Sequence, residues 1–199
     1  MSAIAIIRDE HRRMAAVLSC LKQLADDLAL PDVHPDFAGF DAILGYLESF
    51  PARCHHPKEE QYLFARLDGR KPALSDALKR LREEHDSGER RLVDLERALE
   101  RLRRDPKGEV ENFRRAVNDY VIFERNHMRL EESEILPQAE QLLTPKELAE
   151  LESAFLGNDD PLFGPERQQK YRDLFSHVLA AVPQPHGFAL PWRRDGGLS

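Results

Sequence analysis

Apolar residues recur along this chain at alternating steps of three and four, the spacing that lines one face of a helix. Over about residues 3 to 30 the seam runs Ile4, Ile7, His11, Met14, Leu18, Leu21, Ala25 and Leu28. A second seam, over about 36 to 68, carries Phe40, Leu44, Leu47, Pro51, His55, Glu59 and Tyr62. Pro51 and Pro57 lie inside it, which predicts a kink or a local break close to His55. The third seam, over about 72 to 104, is the most regular: Leu74, Leu78, Leu81, His85, Gly88, Leu92, Leu95, Leu99 and Leu102. The fourth, over about 109 to 142, places Phe113, Val117, Tyr120, Glu124, His127, Glu131, Ile135 and Leu142 on one stripe.

Turn signals separate these segments: Pro31 to Gly39, Asp68-Gly69 to Pro72, and Asp105 to Gly108. Thr144-Pro145 reads as a helix start that runs through about Leu156. A last helix is predicted over about 165 to 181 on the apolar face Tyr171, Leu174, Phe175, Val178 and Leu179, before an extended tail rich in Pro, Gly and Arg. Four long helices with short connections predict an all-α fold. It is an antiparallel up-down-up-down four-helix bundle over 1–143, with a C-terminal helical extension over 144–199. That extension is expected to pack outside the bundle, to cover one end, or to form a homodimer surface.

Composition narrows the function classes. The 199 residues are 41% hydrophobic and 33% charged, enough for one sizeable core under wet helix faces. A formal net charge of -7 gives no footprint for nucleic acid or for an anionic membrane. Cys20 and Cys54 make no disulfide framework, and both read as free core thiols. No apolar run reaches membrane-spanning length and no signal-peptide core opens the chain, so a soluble cytoplasmic protein is expected.

The candidate chemistry lies where the seams turn polar. His55 and Glu59 stand four apart, one turn above one another, and His127 and Glu131 repeat the pair. His56 and Glu60 make a third pair one step round. A lone pair of this kind is ordinarily a surface pair, and a lone seam histidine is ordinarily a satisfied core residue. Here each helix supplies a seam histidine, namely His11, His55, His85 and His127. Three helices add a carboxylate one turn on, at Glu59, Glu89 and Glu131. Placed by a rise of roughly 1.5 Å per residue in an alternating bundle, all of them fall in one layer. Burying so many polar groups together is unfavourable without a cation. Mixed imidazole and carboxylate donors without thiolate suit iron, manganese or zinc, and bridging carboxylates suit a pair of ions. Gly88 within the leucine seam implies that something bulky needs the room.

Four motifs in this order resemble the hemerythrin-like, or HHE cation-binding, family. They are His11 in Arg-Asp-Glu-His, His55-x3-Glu59 followed by Leu63-Phe64, Glu84-His85-x-x-Gly88, and His127-x3-Glu131 followed by Leu136-Pro137. The resemblance covers about 1 to 143 and implies a four-helix bundle around two iron ions, bridged by carboxylate or oxygen. It implies that Glu59 and Glu131 bridge the ions, that His11 and His55 serve one, and that His85 and His127 serve the other. Alignment through Leu63-Phe64 selects His55/Glu59 over His56/Glu60, leaving His56 to face solvent or pack beside the site. Many members carry a second histidine four residues after the third-helix histidine, where this chain has Glu89. Glu89 either ligates, favouring ferric iron and disfavouring reversible oxygen carriage, or turns away and leaves a position open.

The expected ligands are dioxygen, peroxide or nitric oxide, in sensing, storage or detoxification. An oxidase or peroxide reductase, or a scaffold with a structural metal, are the alternatives. A ferritin-like reading needs Glu-x-x-His on two helices, and only Glu124-x-x-His127 fits. Glu124 reads as an outer partner of His127 or as part of the stripe. Tyr62 and Tyr120 are expected to be core, and His34, His177 and His186 to be loop or surface.

Overall fold

Ser2 opens the first helix, α1 (Ala3–Asp27), by accepting a hydrogen bond from the Ala5 N–H at 3.3 Å. The computed structural model describes residues 2–163 together with Tyr171 and Leu174, and among these the chain is helical and carries no strand. The buried face of α1 is the seam itself, from Ile4 through His11 to Ala25.

The second helix, α2, spans residues 37–67 and is the least regular. It runs as α-helix over Phe37–Leu47, widens to π turns over Glu48–His55, tightens over His56–Lys58, widens again over Glu59–Phe64 and closes at Ala65–Leu67. The kink or break expected from Pro51 and Pro57 is replaced by these wide turns. A proline has no N–H and its ring crowds the carbonyl one turn back. An i→i−5 ladder takes up the mismatch without ending the helix. The His56 N–H accordingly bonds to the Pro51 carbonyl, five residues back. Gly69, at φ 72°, then turns the chain out of the helix in a conformation that favours glycine.

A 3₁₀ turn at Pro72–Leu74 leads into α3 (Ser75–Arg104), whose inner stripe is the predicted leucine seam. Arg101, Arg103 and Arg104 in its last turn suit the negative end of the helix dipole. The fourth helix, α4, spans residues 110–142. It is α-helical over Val110–Leu130, π over Glu131–Ile135 and α again over Leu136–Leu142, with Pro137 just past the wide turn. A capping box between Thr144 and Glu147 starts α5 (Pro145–Leu156).

Two apolar cores form, with a polar layer between them. One gathers Ile4 and Ile7 of α1, Leu63 and Phe64 of α2, Leu78 and Leu81 of α3, Ile135 and Leu136 of α4, and Leu151 and Phe155 of α5. The other gathers Met14 to Leu28, Phe40 to Phe50, Leu92 to Leu102 and Phe113 to Met128. Between them each of the four long helices turns polar, at residues 10–11, 55–60, 84–85 and 124–132. The segment beyond the bundle is tied into both cores. α5 lies against α1, and past Gly157 the chain returns so that Leu162, Phe163, Tyr171 and Leu174 join the second core. The rest of the helix predicted over 165–181, with Phe175 and Val178, lies outside the described residues, as do His177 and His186. Among the described residues no helix is long and apolar enough to cross a membrane.

Candidate metal centre

Every candidate histidine of the polar layer is buried, and each directs Nε2 inward. His55 Nε2 lies 3.1 Å from Glu59 Oε1, and His11 Nε2 lies 3.6 Å from the same oxygen. The other oxygen of Glu59, Oε2, faces His85 Nε2 at 3.6 Å. Glu131 is divided in the same way, with Oε2 at 3.3 Å from His11 and Oε1 at 3.5 Å from His127. Both carboxylates therefore stand between a His11/His55 half and a His85/His127 half. His85 and His127 bring their Nε2 atoms to 3.1 Å of one another, so the two rings aim at one point.

The wide turns help to place these groups. All three π stretches carry or adjoin candidate ligands: His55 ends the first, Glu59 begins the second and Glu131 begins the third. Single π turns inside α-helices are frequent at functional sites because they re-aim side chains without breaking the helix.

Six buried atoms of this layer have no hydrogen-bond partner of acceptable geometry: His11 Nε2, His55 Nε2, both oxygens of Glu59 and both of Glu131. They face one another at 3.1–3.6 Å without pairing well. Buried polar groups left in this condition are destabilising, and cations within the cluster would relieve them. The donor set fits such a group by chemistry as well as by position.

Outside this inner set, each Nδ1 donates to a carboxylate from a neighbouring helix. His55 Nδ1 lies 2.7 Å from Glu10 of α1, and His85 Nδ1 lies 2.8 Å from Glu60 of α2. His127 Nδ1 lies 3.1 Å from Glu84 of α3, and His11 Nδ1 lies 3.2 Å from Glu132 of α4. The four contacts close a circuit, each helix giving a carboxylate to the imidazole of the next and α4 returning to α1. Such outer partners fix the tautomer and make Nε2 a better donor to metal.

Electrostatics follow from this crowding. Burial opposes a charge on His55 and His127, yet the carboxylates around them outweigh it and raise each pKa to about 9. Burial likewise opposes a charge on His11 and His85, and the nearby carboxylates of Glu131, Glu132 and Glu59 at His11, and of Glu59 at His85, carry both above the ordinary imidazole value. For Glu59, burial favours the neutral form but the surrounding imidazoles hold the carboxyl well below its usual range. His56 goes the other way: burial, then the charges of His85, His127 and His55, push it well below the ordinary value.

Two groups of residues can each hold an ion, with ligand atoms within 4.8 Å of one another: His11, His55 and Glu59, and His56, Glu59, His85 and His127. His56 was expected to face solvent or pack beside the site. It packs beside the site, stacked on His85 at 4.3 Å between ring centroids and edge-on to His127 at 5.4 Å, and it also belongs to the second group. Neighbours on a helix diverge by roughly 100°, which suggests that only one of His55 and His56 reaches a core site. Here the two straddle Glu59, His55 toward His11 and His56 toward His85.

Glu89 requires the opposite correction. It is exposed on α3, and it belongs to neither group. The inward stripe of α3 runs His85, Gly88, Leu92, which leaves the i+4 position on the flank. The room at Gly88 is taken by α4, since a Cβ there would come within 3.4 Å of Phe123 and 3.5 Å of Glu124. Glu131 is completely buried with both oxygens unpaired, though it falls outside the two tight groups.

The remaining sequence candidates lie around the centre. Glu124 is buried and hydrogen-bonded to Tyr120, and burial pushes its carboxyl toward the neutral form. Tyr62 packs its ring under the Arg66 guanidinium at 5.2 Å. Cys54 donates to Asn158 Oδ1 at 3.2 Å and joins neither metal group. His34 is exposed. The four outer carboxylates were not singled out from sequence for this role, although an acidic residue beside a ligand on every helix was a usable signal: Glu10-His11, Glu59-Glu60, Glu84-His85 and Glu131-Glu132.

No curated protein and no solved structure gives a significant match to the chain. The model of the hemerythrin HHE cation-binding domain matches residues 2–139, which hold every residue of the two groups together with Glu131 and the four outer carboxylates. With its inward-facing imidazoles and carboxylates already arranged to take a cation, the chain belongs to the hemerythrin HHE cation-binding domain family, a helical, metal-binding family.

Proposed function

We propose that this chain is a non-haem diiron protein that binds or reacts with dioxygen, peroxide or nitric oxide, in sensing, storage or detoxification. The four long helices run up, down, up and down around the centre. His11 and His55 would hold one ion and His56, His85 and His127 the other, with Glu59 and Glu131 shared between them. The observation that carries the reading is the set of six buried, unpaired atoms aimed at one another across two carboxylates. An iron pair in such a donor set supplies electrons one at a time at each ion and a place for a small ligand.

The residues of this chain decide where that place is. Counting donors, the His11/His55 side would offer an ion two imidazoles and the carboxylate oxygens facing them, and the other side would offer three imidazoles and the remaining oxygens. An ion on the His11/His55 side would therefore have fewer protein donors, and on this side Phe155 meets the His55 ring edge-on at 5.7 Å and Phe50 lies tilted at 6.3 Å. A third neutral imidazole at His56, in place of a third carboxylate at Glu89, lowers the negative charge around the pair. That favours ferrous iron and supports reversible binding.

Anaerobic reconstitution with ferrous iron, followed by admission of air, tests the proposal. Expected are about two irons per chain and new visible bands that are absent in His55→Ala. Bands that vanish again under vacuum mean carriage or sensing. Bands that persist mean a sink or an oxidase. Failure to bind iron, with an unchanged melting point, overturns the reading.

A second reading, peroxide reduction, is favoured by the buried acid at Glu124, three residues before His127 and bonded to Tyr120. Turnover of peroxide with an electron donor, slowed in Glu124→Gln, would select it.

A further inference from the structure

We infer that Asn158, in the loop after α5, is a positioning residue for the His11/His55 half of the centre and acts through Glu10. The inference rests on the two-ion reading above. Asn158 Nδ2 donates to both oxygens of Glu10, at 2.9 and 3.1 Å, and Glu10 Oε2 accepts from His55 Nδ1 at 2.7 Å. The amide is fixed at its other end too, where Oδ1 accepts from the Cys54 thiol and from the Lys58 ammonium. With two donors facing Oδ1 and a carboxylate facing Nδ2, the amide has one favourable orientation.

Glu10 differs from the other outer carboxylates. Its side chain is 6% exposed, against 15% for Glu84, 43% for Glu60 and 44% for Glu132. Water can reach and orient those three, whereas Glu10 depends on protein donors. The loop that supplies Asn158 is itself anchored. Asp160 Oδ1 accepts from the Leu162 and Phe163 N–H groups at 2.9 and 3.0 Å, and Tyr46 donates to Asp160 Oδ2 at 3.4 Å.

Asn158 lies beyond residue 139, where the family match ends. The extension therefore reaches the centre from outside the matched domain, and it reaches one half of it. The carboxylate on a ligating imidazole sets that ring's tautomer, orientation and basicity. Asn158 holds this carboxylate in line, so its loss weakens the ion served by His55 and leaves the other in place.

Titration of the full-length chain with cobalt(II), followed by its visible absorption, tests this, because the ion reports its own ligand field. Asn158→Asp keeps the acceptor for Cys54 and Lys58 and turns the donor facing Glu10 into an oxygen. It should weaken one binding step by about tenfold and alter that step's spectrum, leaving the second step and the metal-free melting point as in wild type. His56→Ala should weaken the other step, which assigns the two. Asn158→Ala, free of added charge, should repeat the result. Adding Asn158→Asp to Glu10→Gln should cost nothing further, since both act through one contact. Two cobalt ions bound with unchanged steps in both Asn158 variants, or both steps weakened equally, overturn the inference alone. No cobalt bound by the wild-type chain overturns the two-ion reading and this inference with it.

Discussion

On the His11 side of Glu59, two imidazoles face the carboxylates under a wall of phenylalanine, with one outer partner almost wholly buried. On the other side, three imidazoles crowd together, His56 stacked on His85 and His85 in contact with His127, and their outer partners are the more accessible Glu60 and Glu84. One side is donor-poor with both its imidazoles almost wholly buried, although Glu132 behind His11 is as accessible as Glu60; the other is donor-rich and includes the half-buried His56. On the two-ion reading proposed above, the crowded half would hold its ion by number of ligands, and the half with fewer donors would have room for a small ligand.

Removing what the halves share should have the largest effect. Glu59 belongs to both metal groups. Glu59→Ala should take metal content from about two ions per chain to nearly none by elemental analysis, and destabilise the metal-free fold by roughly 3 kcal/mol in denaturant titrations, because it removes the counter-charge of buried imidazoles. His56→Ala should break the comparison on one side only. One ion should remain, and a chain that still holds both equally tightly would refute the role given to His56.

pH sharpens the contrast between loaded and unloaded protein. In the absence of metal, the surrounding carboxylates raise His55 and His127 from the ordinary imidazole value of 6.5 to about 9 in the fold. Raised histidine values stabilise the fold fully below 6.5, and that contribution is lost as pH rises through about 9. The metal-free melting temperature should fall across this window. Metal affinity should rise across it, since the same protons must leave before the ions bind, and calorimetry in buffers of different ionisation enthalpy should detect their release. The smallest effect is expected from Glu89→Gln, with both ions retained and stability within about 0.5 kcal/mol of wild type. A lost ion there would return Glu89 to the ligand set.

The leucine seam of α3 gave that helix from sequence to within a turn, because burial at a period near 3.6 is all a bundle helix needs. The polar members of the seams, His11, His55, Glu59, His85, His127 and Glu131, were legible for the same reason: they occupy core positions where a polar residue needs a cause. What stayed hidden depended on departures from the plain helix and on distance in the chain. The wide turns of α2 and α4 arise from prolines and packing that a periodicity count does not contain. His56 was set aside because alignment through Leu63-Phe64 selects His55, although adjacent helix residues diverge enough to reach two neighbouring groups. Glu89 was overread because i+4 from a ligand is the ordinary choice, whereas the seam steps three, to Gly88. Asn158 lies outside every seam, and nothing local to it points to Glu10.

The circuit of outer carboxylates also bears on how such a molecule can change over time. Each helix carries an acid that serves the next helix's imidazole, so no helix holds a complete set of its own. A graft of α3 from a cousin would bring Glu84 and His85 together, yet it would confront Glu60 with a foreign ring and give His127 a foreign acid. Inheritance is thus shared across neighbours, and recombination within the bundle should succeed only where donor and recipient agree at both seams of the transplanted piece.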